Sequence, residues 1–196
     1  MLFRSSRDKL ERNLERSVAQ ARRASDLIRD LRRSISSRKE EGERSRVDMN
    51  SVAASARELV LGQAAALGVE IALTPAAELP PVSAVQLQME YVVVGLLRNA
   101  IAVLQNRPGD KRINIATMNI PGAIPGMVEV SVSDNGPGIP PDRLEQVFRA
   151  FHHDPAGLGM GLWTARSIAE AHGGKLLAEN RQPQGAVFRL QLPASR

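Results

Sequence analysis

The sequence predicts an α/β fold: a two-layer sandwich in which helices cover a mixed sheet, preceded by a long N-terminal helix. Three observations carry this. Residues 6–44 contain no proline and a single glycine, Gly42, and their apolar residues recur at a seven-residue spacing. Residues 47–196 then mix helical apolar patterns with short stretches of strict alternation, the combination that lays helices on a sheet. No internal repeat is visible. With 43% apolar residues in a chain of 196, there is room for one core-bearing domain and an appended segment.

The elements follow in order. Leu14, Ala21, Ile28 and Ile35 form one line along the N-terminal helix, with Leu10, Ala24 and Leu31 on a neighbouring line. This narrow stripe runs along a helix of roughly 55 Å. Such a helix cannot bury its stripe on itself, so a partner helix is expected. Asp48 or Asn50 can cap a second helix that runs to Leu67 and stops at Gly68. Val69–Thr74 alternates as a strand, and Pro75–Pro81 reads as a loop. Gln86–Leu104 is an apolar helix ended by Asn106, Pro108 and Gly109. Arg112–Asn119 and Met127–Ser133 alternate as strands around a connector with two prolines and two glycines. A helix over Pro141–Phe151, a polar loop over His152–Gly159 and a helix over Leu162–His172 come next. Lys175–Asn180 and Ala186–Leu192 form a final hairpin.

Composition removes several function classes. The chain has no cysteine, which excludes disulfide scaffolds, thiolate zinc sites and cysteine nucleophiles. Three histidines leave little for a histidine metal site. No apolar run approaches the roughly 20 residues of a membrane span, and the N-terminus lacks the apolar stretch of a signal peptide; a soluble, cytoplasmic chain is expected. The net charge of +5 is uneven: residues 1–46 hold 14 Lys/Arg against 8 Asp/Glu, and the remainder 12 against 13. The basic segment is interspersed with Glu11, Glu15, Asp26 and Asp30, as on a solvated helix face. Aromatic residues are only 3%, too few for base stacking on a nucleic acid. No nucleic-acid partner is expected.

Three segments could carry chemistry. In Val132-Ser133-Asp134-Asn135-Gly136-Pro137-Gly138-Ile139, an aspartate ends a strand and a turn with two glycines follows. The carboxylate can accept from an exocyclic amine, while Gly136 and Gly138 allow close backbone approach. An Asx turn between two elements has the same composition. Gly157-Leu158-Gly159-Met160-Gly161-Leu162 opens a helix, where converging N–H groups and the helix N-terminus suit phosphates. A flexible linker reads alike. The pattern is neither a Walker loop nor a first-strand dinucleotide fingerprint. Asn99 interrupts an otherwise apolar helix, with Gly95 and Ala102 beside it. A buried amide needs partners, either a neighbouring loop backbone or a hard cation such as Mg²⁺.

In combination these segments are far more specific. Leu97-Arg98-Asn99-Ala100, Asp134-Asn135-Gly136-Pro137-Gly138, Phe148 with Phe151, and Gly157 to Leu162 follow in sequence. The series resembles the N box, first glycine box, F box and second glycine box of the histidine-kinase catalytic domain of two-component sensor kinases. Gly185-Ala186-Val187-Phe188 resembles the last glycine box. The resemblance covers about Val47 to Pro193. Residues 20–31 are similar, more loosely, to the second helix of a dimerisation hairpin. The implied organisation is a dimerisation-type helix at 1–46 and an ATP-binding kinase domain at 47–196.

The resemblance implies ATP and Mg²⁺ as cofactors. Asp134 would hold the adenine amine, and Gly136 and Gly138 would admit the nucleotide. Asn99 would hold Mg²⁺ on the phosphates. Gly157, Gly159, Gly161 and Leu162 would line the phosphates and hinge a lid, which Phe148 and Phe151 would anchor. The reaction would be phosphoryl transfer from ATP to a histidine, with a homodimer, a histidine-bearing dimerisation hairpin and a response regulator as partners.

Three departures stand out. The only histidines are His152, His153 and His172, and none sits on the dimerisation helix; the expectation is a fragment of a longer sensor, or a short protein acting on another molecule's histidine. Gly95 stands where family members usually have Asn, and where ATP-hydrolysing relatives have Glu, so a gyrase-like or chaperone-like hydrolase is disfavoured. The lid reads His152-His153-Asp154 in place of the frequent Thr-Thr-Lys, with Arg98 as a candidate replacement cation. The alternative function is a degenerate kinase-like module that docks a response regulator without catalysis, and His172 is expected to be a dipole-favoured cap at a helix C-terminus.

Overall fold

The carboxylate of Asp48 sets the first helix. It accepts the N–H groups of Asn50 and Ser51 at 3.0 and 3.3 Å, satisfying two of the donors that every helix start leaves free. Helix α1 (Met49–Ala66) runs from this cap, and Gly68 at φ 66° turns the chain out of it. The computed structural model describes residues 43–120, 122, 126–144, 146–149 and 161–195. The expected helix over 6–44 lies outside these residues.

Strand β2 (Val69–Thr74) follows α1, and α2 (Gln86–Leu104) crosses to β4 (Lys111–Ile120). β5 (Met127–Asp134), β6 (Lys175–Asn180) and β7 (Ala186–Pro193) complete a five-stranded sheet in the order β2-β4-β5-β7-β6. The β2–β4 pair is parallel and the other pairs are antiparallel. This is the mixed sheet expected from the sequence. Its inner face carries Ile113, Ile115, Val128, Val130, Val132, Leu190 and Leu192, each at most 1% exposed. They pack with Val52, Ala56 and Val60 of α1 and Val93, Leu96, Leu97 and Ile101 of α2. Helix α4 (Gly161–Ala171) adds only Ala165 and Ala169 as fully buried residues. Burial of these apolar faces is the main favourable term in the fold.

Helix α2 is 19 residues long with a mean hydropathy of 1.4, which meets the length and composition of a membrane span. Eight of its residues are buried in the core, and this position against the sheet, flanked by α1 and α4, accounts for its apolarity.

The outer face of the sheet holds one buried charge. Glu129 is 3% exposed and accepts Arg189 Nη1 and Gln191 Nε2, each at 2.7 Å. A charge can stay buried there because both oxygens are paired.

The structure departs from the sequence reading in three places. A separate two-stranded ribbon pairs β1 (Ser45–Val47) with β3 (Val82–Ala84); three residues are too few for alternation to register as a strand. The helix expected over Pro141–Phe151 is only α3 (Pro141–Leu144). Beyond it, Gln146 N–H to Arg143 O and Arg149 N–H to Gln146 O, at 2.9 and 2.8 Å, tighten the chain into turns. Val147 and Phe148 thereby reach the core, a pull that local helix propensity does not contain. His172 caps the end of α4 as expected, but its ring is buried, 5% exposed, and has a second partner outside the helix. Its Nδ1 lies 2.8 Å from Ile168 O, and its Nε2 accepts the Val85 N–H at 3.2 Å. A carbonyl only accepts and an amide N–H only donates, so these bonds fit the neutral Nδ1–H tautomer.

Candidate nucleotide-binding cleft

β5 ends at Asp134 on the inner side of the sheet, beneath the second half of α2. The residue is 3% exposed. Its Oδ1 accepts the Gly136 N–H at 2.7 Å and the Ala186 N–H at 3.4 Å. Both bonds fall on one oxygen, so Oδ2 is the atom available to a further donor. Burial pushes the carboxyl above the usual carboxylate range. The two N–H bonds and the charges of Arg181 and Arg107 oppose that push.

The loop after Asp134 is pinned from two sides. Asn135 Oδ1 accepts the Arg112 N–H and its Nδ2 donates to Asp110 O, both at 2.9 Å. Asn180 of β6 accepts the Ile139 N–H at 2.7 Å and donates to Ile139 O at 2.8 Å. This paired amide contact holds the loop against the β6–β7 hairpin. Two glycines make the close approach possible. A Cβ at Gly185 would lie 2.0 Å from Asp134 O, at φ 108°. A Cβ at Gly136 would lie 2.7 Å from Asp134 Oδ1 and 2.9 Å from Val103 Cγ1.

Asn99, Ala100 and Val103 of α2 face Asp134 across a cavity of about 150 Å³. Gly138, Ile139, Val147, Leu162, Ala186 and Phe188 complete its lining. Asn99 is half-buried and opens onto this cleft, so its amide needs no internal partner, contrary to the buried environment expected. Phe148 meets Phe188 edge-on, with ring centroids 6.3 Å apart, and the Arg166 guanidinium of α4 stands 5.6 Å above its ring. Phe148 thus ties α4 to the cleft wall from behind.

The sequence-predicted residues divide into four groups. Asp134, Asn99, Gly138 and Leu162 line one cleft, with Gly136 and Phe148 directly behind it. Gly161 begins α4 beside Leu162. Arg98 is exposed and is not among the lining residues. Phe151, Gly157 and Gly159 lie outside the described residues, as do His152 and His153. The sequence reading missed Val103, Ile139, Val147 and Phe188 as cleft walls. Phe188 was within reach: it alternates onto the inner face and sits opposite Val132, two residues before Asp134.

A second cavity, of about 490 Å³, lies on the outer sheet face between Glu70, Arg112, Asn114, Ser133 and Arg181. It is larger but its walls are polar and charged, whereas ligand pockets are mostly apolar with a few placed polar groups. The inner cleft has that second character.

Residues 84–196 match the family described as histidine kinase-, DNA gyrase B- and HSP90-like ATPases. The chain belongs to this family. Within it, the chain is 36% identical over 190 residues to the sensor protein FixL of Bradyrhizobium diazoefficiens, covering 95% of this chain and 36% of FixL. The catalytic domain of histidine kinase ThkA superposes with a TM-score of 0.68 at 26% identity, over 79% of this chain and 99% of that one. Full-length ShkA in complex with AMPPNP superposes with the same score and identity, over 78% of this chain and 31% of that one. The domain described here therefore matches histidine-kinase catalytic domains in fold and sequence, and the chain spans about a third of the length of FixL.

Proposed function

We propose that the inner cleft binds ATP, and that the chain passes its γ-phosphoryl group to a histidine on a dimerisation hairpin. One observation carries the reading: Asp134 from the sheet, Asn99 from α2 and Leu162 from α4 meet around a single apolar cleft. Three separate segments supply these residues, and their convergence on one cleft supports a shared ligand.

Each wall has a task. A cavity of about 150 Å³ suits a heterocycle, with ribose and phosphates extending outward past Asn99. Val103, Ile139, Val147 and Phe188 would cover the base faces. Asp134 Oδ2 would accept from the exocyclic amine, while the N–H groups of Gly136 and Ala186 hold Oδ1 and orient the carboxylate. Leu162 and the first turn of α4 would close the phosphate side.

A hard cation fits the cleft in a restricted way. No group of three or more His, Cys, Asp or Glu capable of holding a metal occurs among the described residues. Mg²⁺ commonly keeps waters and phosphate oxygens and takes only one or two protein ligands, so the Asn99 amide is a sufficient donor. When bound, Mg²⁺ supplies screening of phosphate charge. The chain's own contribution is positioning: it fixes the base, aims the triphosphate out of the cleft and excludes water from the base. The acceptor imidazole then attacks the γ-phosphorus through a nitrogen lone pair, the β–γ bridging P–O bond breaks, and ADP leaves with that electron pair. Gly95 offers no side chain to activate water, which supports transfer over hydrolysis.

The apolar stripe of residues 10–35 supports pairing with a second copy, and a response regulator would receive the phosphoryl group. The test is incubation of the full chain with γ-labelled ATP, Mg²⁺ and a histidine-bearing hairpin. Label on the hairpin is the expected result. ATP binding without transfer would instead support a module that docks a response regulator without catalysis, a reading favoured by the lid sequence His152-His153-Asp154 and by Gly95 standing where kinase relatives usually have Asn. Absence of ATP binding would contradict both.

A further inference from the structure

Helices α2 and α4 each have one end at the cleft. Asn99 and Val103 lie in the last two turns of α2, and Leu162 lies in the first turn of α4. Their opposite ends also meet. Val85 immediately precedes α2, and its N–H donates to Nε2 of His172, which immediately follows α4. The two helices therefore run antiparallel and are joined at both ends, by the cleft at one and by the His172 ring at the other. At ~1.5 Å per residue, His172 lies roughly 15 Å from Leu162 along α4.

The chain enters the domain at the same place. Arg44 Nη2 donates to Ala171 O at 2.6 Å, the residue before His172. Ser45 pairs with Ala84, the residue before Val85. Three segments thus converge: the entering chain, the start of α2 and the end of α4. The apolar grip between the helices is slight on the α4 side, where only Ala165 and Ala169 are fully buried and Leu162 and Ile168 are partly so. Phe148 and Arg166 hold α4 at the cleft end, and at the far end the bond to the buried His172 ring is a directional tie from α4 to the start of α2.

We infer that His172 is a positioning residue for the nucleotide cleft, acting through Val85 and Ile168 to set where α4 presents Leu162, and that Arg44 ties the entering chain to the same junction. The ring is well suited to this. Its Nδ1 anchors it to its own helix at Ile168 O, and that bond leaves Nε2 as an acceptor aimed at α2. The inference rests on the cleft being an ATP site, so its test includes a measurement independent of ATP.

The experiment compares the full chain with His172→Ala and His172→Gln. Gln keeps an acceptor near the Nε2 position, and Ala does not. ATP affinity is measured by calorimetry, and exchange of the Val85 amide proton by NMR. The expected result is an affinity at least tenfold weaker in His172→Ala, restoration to within threefold in His172→Gln, and Val85 protection lost only in Ala. Arg44→Gln should weaken affinity by severalfold with the Val85 bond retained. Equal affinity in wild type and His172→Ala would overturn the inference. So would equal losses in Ala and Gln, since a packing role alone would not distinguish an acceptor. If the wild-type chain binds no ATP, the nucleotide reading fails by itself. The Val85 amide then decides for the junction, and unchanged protection in His172→Ala overturns it.

Discussion

Replacing Asp134 with Asn should separate folding from function, because the two respond in opposite directions. In the folded chain Oδ1 is committed to the Gly136 and Ala186 N–H groups, and an Asn carbonyl can keep that role. At the other position an NH₂ replaces the oxygen proposed to accept from adenine, so two donors face each other. Loss of a charge-assisted hydrogen bond in a buried setting costs about 1.5–3 kcal/mol, or roughly a 10- to 150-fold weaker Kd. Stability should behave differently. Burial raises the Asp134 pKa above the ordinary value, so the folded chain holds this proton more tightly than the unfolded one. The stability from this group is complete below the unfolded pKa and is lost as pH rises through the raised folded value. Above that raised folded value the ionised carboxylate opposes folding, and Asn, which does not titrate, removes that opposition. Calorimetric titration with ATP should show the weaker Kd. Thermal melting should show a Tm at or above wild type at pH 7, with the difference shrinking as pH falls towards 3. Equal ATP affinities would refute the adenine role, and a lower Tm at pH 7 together with weak binding would mean that the mutation merely damaged the fold.

Other expectations follow from single contacts. Gly95→Ala should stabilise the chain by about 0.5–1 kcal/mol in urea melts, since no atom beyond its own helical backbone lies within 4 Å of the added Cβ; destabilisation would show that α2 is crowded there. Gly185→Ala should cost at least about 3 kcal/mol, because its Cβ would lie 2.0 Å from Asp134 O, and a normal denaturation midpoint would contradict the described hairpin contact. Arg189→Met should cost about 3 kcal/mol, the low end for breaking a buried pair, because Arg189 is a third exposed while Glu129 is not; guanidinium denaturation measures this. Asn99→Ala should abolish the Mg²⁺ dependence of ATP affinity, measured by titration with and without EDTA, while Tm changes little because Asn99 is half-buried.

What was legible in the sequence is what local pattern encodes. The Asp48 cap, the stop at Gly68 and the inward alternation of β4, β5 and β7 each follow from residues within a few positions of one another. Asp134 and Asn99 could be singled out because each is a polar residue set in an apolar run. What escaped depends on distant partners. β1 and β3 are three residues each and exist only as a pair. The early end of α3 follows from the core's demand for Val147 and Phe148. The cleft walls Val103 and Ile139 look like ordinary apolar residues until the loop after Asp134 is drawn in by Asn180. The cap at His172 was legible, but its second partner, Val85, was not, because it lies 87 positions away.

The most direct test of the central claim is an amide NMR titration of the full chain with Mg²⁺-ATP. The account predicts that perturbations concentrate at the inner cleft, on Asn99, Gly136, Gly138, Leu162 and Ala186. Perturbations centred on Glu70, Arg112 and Asn114, around the larger outer cavity, would contradict it.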